Sequence, residues 1–184
     1  MGSLTGAVAS QRVTEARKGS LGFDPSRIVL VGHSAGAHLV ALVGTDPAWF
    51  RAAGLKLSDV RGIVPLDGAA YDVPRQLDIG APPMHNTYVQ AFGKDPVRQR
   101  KLSPTFQAAA PNAPQFLILH VQRPDGIEQS NKLAAALKKA GTPVEIQGFP
   151  GTGLRGHAQI NRQLGEADYP ATPVLDAWLK KVFS

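Results

Sequence analysis

The stretch from Gly32 to Gly36 reads G-H-S-A-G, a G-x-S-x-G motif with Ser34 at its centre. Glycine on either side lets the chain make a sharp, strained turn that lifts a serine hydroxyl out of the backbone envelope. A serine hydroxyl is a weak nucleophile until a base takes its proton, so such a turn has catalytic meaning only with a histidine and a carboxylate brought to it. The chain has five histidines, at positions 33, 38, 85, 120 and 157. His33 and His38 are five residues apart, about 140° around a helix, so they do not form a shared metal-binding face. With no cysteine, thiolate nucleophiles, thiolate metal sites and disulfides are excluded. The plain alternative is a glycine-rich turn carrying an idle serine.

The elements around the motif suit the chemical reading. Arg27 to Gly32 (RIVLVG) is a continuous β-branched run, which predicts a strand covered on both faces, ending where the motif begins. Three further runs predict buried strands: Val60 to Leu66, Gln115 to Val121 and Val144 to Phe149. Helical patterns cover Val8 to Lys18, Ala35 to Val43, Glu128 to Ala140 with Gly141 as its stop, and Thr172 to Phe183, where Thr172 and Pro173 form a start signal. Gly22 to Pro25 reads as a turn. Strands alternating with helices predict an α/β fold with a mainly parallel sheet flanked by helices. The stretch Tyr71 to Pro104 is rich in proline, glycine and polar residues, and it is expected to be a long irregular insertion serving as a lid or pocket wall.

Composition narrows the function classes. One hundred and eighty-four residues with no linker or internal repeat predict a single domain over 1–184, large enough for a real core. The net charge of +6 would suit a polyanion partner only if the cations were clustered. The densest groups, Arg98/Arg100/Lys101 and Lys138/Lys139, are short and carry no interleaved aromatics, so nucleic acid is not expected. No apolar run approaches a membrane span and no signal-type block opens the chain, so a cytoplasmic protein is expected.

The segment GHSAGAHL (Gly32 to Leu39) resembles the nucleophile turn of α/β-hydrolase carboxylesterases, in particular the hormone-sensitive-lipase-like and kynurenine-formamidase-like groups. The resemblance continues in order through PLDGAAYD (Pro65 to Asp72), Ser103-Pro104, FLILH (Phe116 to His120), QSNKLAAALKKAG (Gln129 to Gly141) and GHAQINRQLG (Gly156 to Gly165). In that fold the triad runs serine, acid, histidine along the chain. The resemblance implies Ser34 as nucleophile and His157, in the glycine-rich loop after the fourth strand, as general base. It places the acid shortly after the strand that ends at His120, where Asp125 is the carboxylate, one residue later than the usual H-G-x-x-D spacing. Asp67, at the end of the second strand, is the alternative acid. Glu128 is expected to favour the helix N-terminus, and His120 and His85 to be a packing and a solvated histidine.

The implied activity is hydrolysis of carboxylic esters, short-chain ones foremost, through an acyl-enzyme on Ser34 and with no cofactor or metal. An amidase or formamidase using the same triad is an alternative, as is a hydrolase-like binding or oligomerisation module. The Ala35 N–H supplies one oxyanion donor, and nothing upstream resembles the HGGG-type loop that carries the second. Thirty-three residues before Ser34 leave no room for the early strands of the fold, so a minimal or truncated member is expected. The apolar first strand would then lie at an open edge, from which a homodimer is expected, with a small-molecule ester as the other partner.

Overall fold

A computed structural model describes residue 24 and residues 26–80, 82–109 and 111–184 of the chain. The expected helix over 8–18 lies outside the described residues. Four strands form one sheet: β1 (Val29–His33), β2 (Gly62–Leu66), β3 (Phe116–Gln122) and β4 (Val144–Thr152). They are parallel and pair in chain order, β1-β2-β3-β4. Parallel neighbours require crossovers long enough to return the chain to the same end of the sheet. Here α1 (Ala35–Thr45) with α2 (Pro47–Ala52) leads from β1 to β2, and α7 (Pro124–Lys139) leads from β3 to β4. After β4 come α8 (Gly153–Gln163) and α9 (Ala171–Val182).

Alternation along the strands divides the core into two layers. Ile63, Phe116 and Ile118 point to one face, where they join Ala37, Val40 and Ala41 of α1 and Leu133 and Leu137 of α7. Val64, Leu66, Leu117, Leu119 and Val121 point to the other, against Ile160 of α8, Trp178 of α9 and Tyr169 just before α9. A strand buried on both faces cannot alternate apolar with polar, which is why β2 and β3 read as continuous apolar runs. At β1 the expectation of double coverage is not met among the described residues: β1 closes one side of the sheet and Val31 is 48% exposed.

The stretch expected to be irregular is helical. Between β2 and β3 lie α3 (Val73–Ile79), α4 (Pro82–Phe92), α5 (Pro96–Lys101) and α6 (Pro104–Gln107). The prolines that made this stretch look broken sit in the first helical turn, where a missing N–H costs nothing. Asp72 and Asp95 cap α3 and α5, accepting bonds from Arg75 N–H and from the Val97 and Arg98 N–H groups. The last helix likewise starts at Ala171 rather than after Thr172, whose hydroxyl instead accepts from Gly165 N–H.

Phe116 is fully buried between the sheet and the α1/α7 layer. Phe116→Ala should lower unfolding free energy by about 3–5 kcal/mol through lost transfer energy and a residual cavity, as read from urea denaturation.

Candidate active site

The site is assembled from the C-terminal ends of four neighbouring strands. Where β1 ends, the chain turns at Ser34, whose backbone has φ 57° and ψ −118°, a strained combination for a residue with a side chain. Gly32 makes the turn possible: a Cβ there would stand 2.2 Å from the Gly36 carbonyl oxygen, so no side chain fits between strand and helix. Ser34 N–H donates to the Leu66 carbonyl at 3.1 Å, which ties the turn to the end of β2. Ala35 opens α1 and is exposed, so its N–H lies at a helix N-terminus, where first-turn donors lack intrahelical partners.

The next residue tied in this way is Asp67. Its N–H donates to the Leu119 carbonyl at 2.7 Å, anchoring the end of β2 to β3. Beyond that point β3 outruns β2, and the Asp67 side chain takes over as acceptor: Oδ1 receives the Val121 N–H at 3.1 Å. Asp67 adopts a left-handed φ of 45°, which aspartate tolerates better than most side chains. Its carboxylate has no exposed surface.

His157 reaches this carboxylate from α8. The resemblance implied a loop position, yet the residue stands in the second turn of a helix. The helix approaches closely because Gly156 packs on Gly151 at the end of β4, where a Cβ would come within 2.5 Å of backbone. His157 Nδ1 lies 2.6 Å from Asp67 Oδ2, and Nε2 lies 3.0 Å from Ser34 Oγ. An ionised carboxylate only accepts, so Nδ1 carries the proton and Nε2 is left to accept the serine O–H.

Asp125 does not meet His157. Pro124 starts α7, so Asp125 falls in the first helical turn, where its carboxylate lies 3.3 Å from Gln76 Nε2 and 3.6 Å from Arg123 Nη1. The Arg123 guanidinium stands between the two candidate carboxylates and also donates from Nε to Asp67 Oδ2 at 3.0 Å. The single extra residue between His120 and Asp125 was the sequence signal for this arrangement.

Two other residues at the site were given no part in it by the sequence reading. The His33 ring packs against His157 at a tilt of 34° with ring centroids 4.4 Å apart, and its Nε2–H donates to the His157 carbonyl at 2.9 Å. Arg123, the last residue before the α7 proline, is the second. The remaining histidines are structural: His38 Nδ1–H donates to the Ala70 carbonyl, His120 leans over Gly148, and exposed His85 donates to the Leu77 carbonyl. Glu128 pairs with Arg75 at 2.6 Å. Among the described residues no three histidine or carboxylate side chains gather as a metal site would need.

The electrostatics follow from burial and partners. Desolvation pushes the Asp67 carboxyl up, but the His157 bond, the Arg123 charge and the Val121 N–H together hold it below the ordinary aspartate value. Burial lowers the His33 imidazole, and the neighbouring His157 lowers it further. A carboxylate with a depressed folded-state pKa contributes stability above its unfolded value of about 3.9 and loses that contribution as pH falls through the folded value. Asp67→Asn should therefore be destabilising near pH 7, with the gap to the unsubstituted protein narrowing below about pH 4 in urea denaturation.

Comparison with known proteins agrees with the architecture. A family model described as alpha/beta hydrolase fold matches residues 4–157. Esterase B from Lactobacillus rhamnosis superposes with a TM-score of 0.72 at 19% identity, over 98% of this chain and 59% of that one. An acetyl ester-xyloside bifunctional hydrolase from Caldicellulosiruptor lactoaceticus gives 0.72 at 24% identity, over 97% and 65%. A thermostable carboxylesterase cloned from a metagenomic library gives 0.71 at 19%, over 97% and 62%. The chain thus spans less than two thirds of the length of these structural relatives. No curated protein matches it. The family match over most of the chain, together with the parallel sheet and its flanking helices, makes this chain a member of the α/β-hydrolase fold family.

Proposed function

We propose that this chain is a serine hydrolase that cleaves small carboxylic esters through an acyl-enzyme on Ser34. The observation that carries the proposal is the unbroken line of bonds from Ser34 Oγ through His157 to Asp67, at 3.0 and 2.6 Å. In the first step His157 Nε2 takes the Ser34 proton as Oγ attacks the ester carbonyl, and the carbonyl oxygen takes up the electron pair as an oxyanion. The Ala35 N–H is one donor to that oxyanion. Asp67 keeps the Nδ1 proton in place and stabilises the imidazolium without taking the proton itself. The imidazolium then protonates the departing alcohol, the acyl–Ser34 ester forms, and a water activated by the same histidine releases the acid. Esters are favoured as the substrate class because the structural relatives named above are called esterase, carboxylesterase and acetyl ester hydrolase. Short acyl chains are part of the proposal.

In this reading the acid is Asp67 rather than Asp125. Ser34→Ala and His157→Ala should each lower ester turnover by at least about 10³-fold, and the double variant should be little worse, because the residues act as one unit. Asp67→Asn should cost about 10²–10⁴-fold by disturbing the histidine tautomer. Asp125→Asn should stay within about threefold of the unsubstituted protein. p-Nitrophenyl acetate kinetics with fluorophosphonate labelling of Ser34 check all five variants. A matched ester and amide pair assigns the bond class, since the amide needs stronger leaving-group protonation.

A homodimer is also proposed, supported by the exposed apolar edge at β1: no described strand pairs on its outer side, and Val31 is 48% exposed. Light scattering should give twice the chain mass at micromolar concentration, and Val31→Lys should shift it to one chain mass. A monomer with full esterase activity would remove the dimer from the account.

A further inference from the structure

Among the described residues, Arg123 is the one charged residue in direct contact with the line of bonds that the proposed mechanism leaves without a part. Its side chain is only 14% exposed. It sits where β3 has ended and α7 has not begun, and its own N–H donates to the Val121 carbonyl at 2.9 Å. From there the guanidinium grips the Asp67 turn at three points. Nε donates to Asp67 Oδ2 at 3.0 Å, and Nη2 donates to the Asp67 carbonyl at 3.2 Å and the Gly68 carbonyl at 3.4 Å. A planar fork can satisfy a side chain and its own main chain at once; an ammonium cannot.

Two consequences follow from that grip, and both act on His157. The first is mechanical: the turn holds a non-glycine residue at φ 45°, and the two carbonyl contacts fix the turn from which the carboxylate projects. The second is electrostatic. Oδ2 is shared, so the oxygen that accepts the His157 Nδ1–H also accepts from a permanent cation. That cation withdraws part of the carboxylate's field from the imidazolium and repels the imidazolium directly.

We infer that Arg123 is a positioning residue that fixes the Asp67 turn and sets the pH at which His157 is available as a base, by sharing Oδ2 with it. The inference rests on the serine-hydrolase reading above and assigns a role to a residue outside the triad.

The other groups facing these residues leave Arg123 in control of the effect. Oδ1 of Asp67 is taken by the Val121 N–H from β3. Tyr71, before α3, and Tyr169, before α9, lie near the carboxylate, and burial keeps both phenols uncharged at working pH. His33, on β1, faces the His157 ring, and burial with the adjacent imidazole disfavours its protonated form. On the far side of the guanidinium, Asp125 of α7 lies 3.6 Å away and is partly exposed, and Tyr88 of α4 completes the surround.

The test compares Arg123→Met and Arg123→Lys by two measurements: kcat/KM for p-nitrophenyl acetate across pH, and the NMR titration of the His157 imidazole, assigned with His157→Asn. Removing the cation with Met should move the acid limb and the titration midpoint upward by about one pH unit, with kcat lowered. Lys keeps a charge but loses the fork, so it should lower kcat while leaving the limb within a few tenths of a unit. Arg123→Gln, neutral but still a donor, carries the charge test if the Met variant does not fold. A limb and midpoint that stay in place in both neutral variants would overturn the inference, whatever happens to kcat or thermal stability. Failure of fluorophosphonate to label Ser34 in the unsubstituted protein would overturn the hydrolase reading instead, and the imidazole titration would still decide whether Arg123 acts on His157.

Discussion

A carboxylate with no exposed surface stays ionised only if its oxygens are fully met by donors, and Asp67 is such a group. Its donors come from three different places in the chain: the Val121 backbone on β3, the Arg123 side chain just after it, and the His157 ring on α8. None of the three can be withdrawn without leaving a buried charge short of partners. The ends of β2 and β3, the start of α7 and the approach of α8 are therefore constrained together by one side chain. That constraint also aims the histidine, since the proton held on Nδ1 leaves Nε2 facing Ser34.

The sheet supplies the rest of the precision through backbone. Ser34 N–H on the Leu66 carbonyl and Asp67 N–H on the Leu119 carbonyl continue the ladder one step past the strands, so consecutive site residues inherit the register of the sheet. Glycines at 32 and 156 then remove the side chains that would hold α1 and α8 away. Left-handed backbone at Ser34 and Asp67 is sustained by these surroundings, which over-determine both turns.

Much of this was legible in the sequence, and what was not has identifiable causes. Strands β2 and β3 announced themselves because apolar runs without polar alternation need two covering layers, and the G-x-S-x-G turn was readable because it followed the apolar run of β1. The helices α3 to α6 were hidden by their own start signals: proline in the first turn and aspartate before it look like loop chemistry when the following helix is short. The acid was ambiguous for a tertiary reason. Asp67 and Asp125 both follow a parallel strand, and local pattern cannot say which carboxylate turns toward α8. The decision lies with Pro124, which starts α7 early enough to place Asp125 in a helix turn and Arg123 beside Asp67. His33 was readable only as the variable residue of a motif, because its partner is a main-chain carbonyl 124 positions away.

The central claim is that His157 is held by Asp67, and the proton between them can be observed directly. In one-dimensional proton NMR, a histidine Nδ1 proton bonded to a buried carboxylate should resonate far downfield of the ordinary amide region. The account expects that resonance in the unsubstituted protein and in Asp125→Asn, and its loss in Asp67→Asn. Its survival in Asp67→Asn with loss in Asp125→Asn would contradict the account and return the acid to the α7 turn.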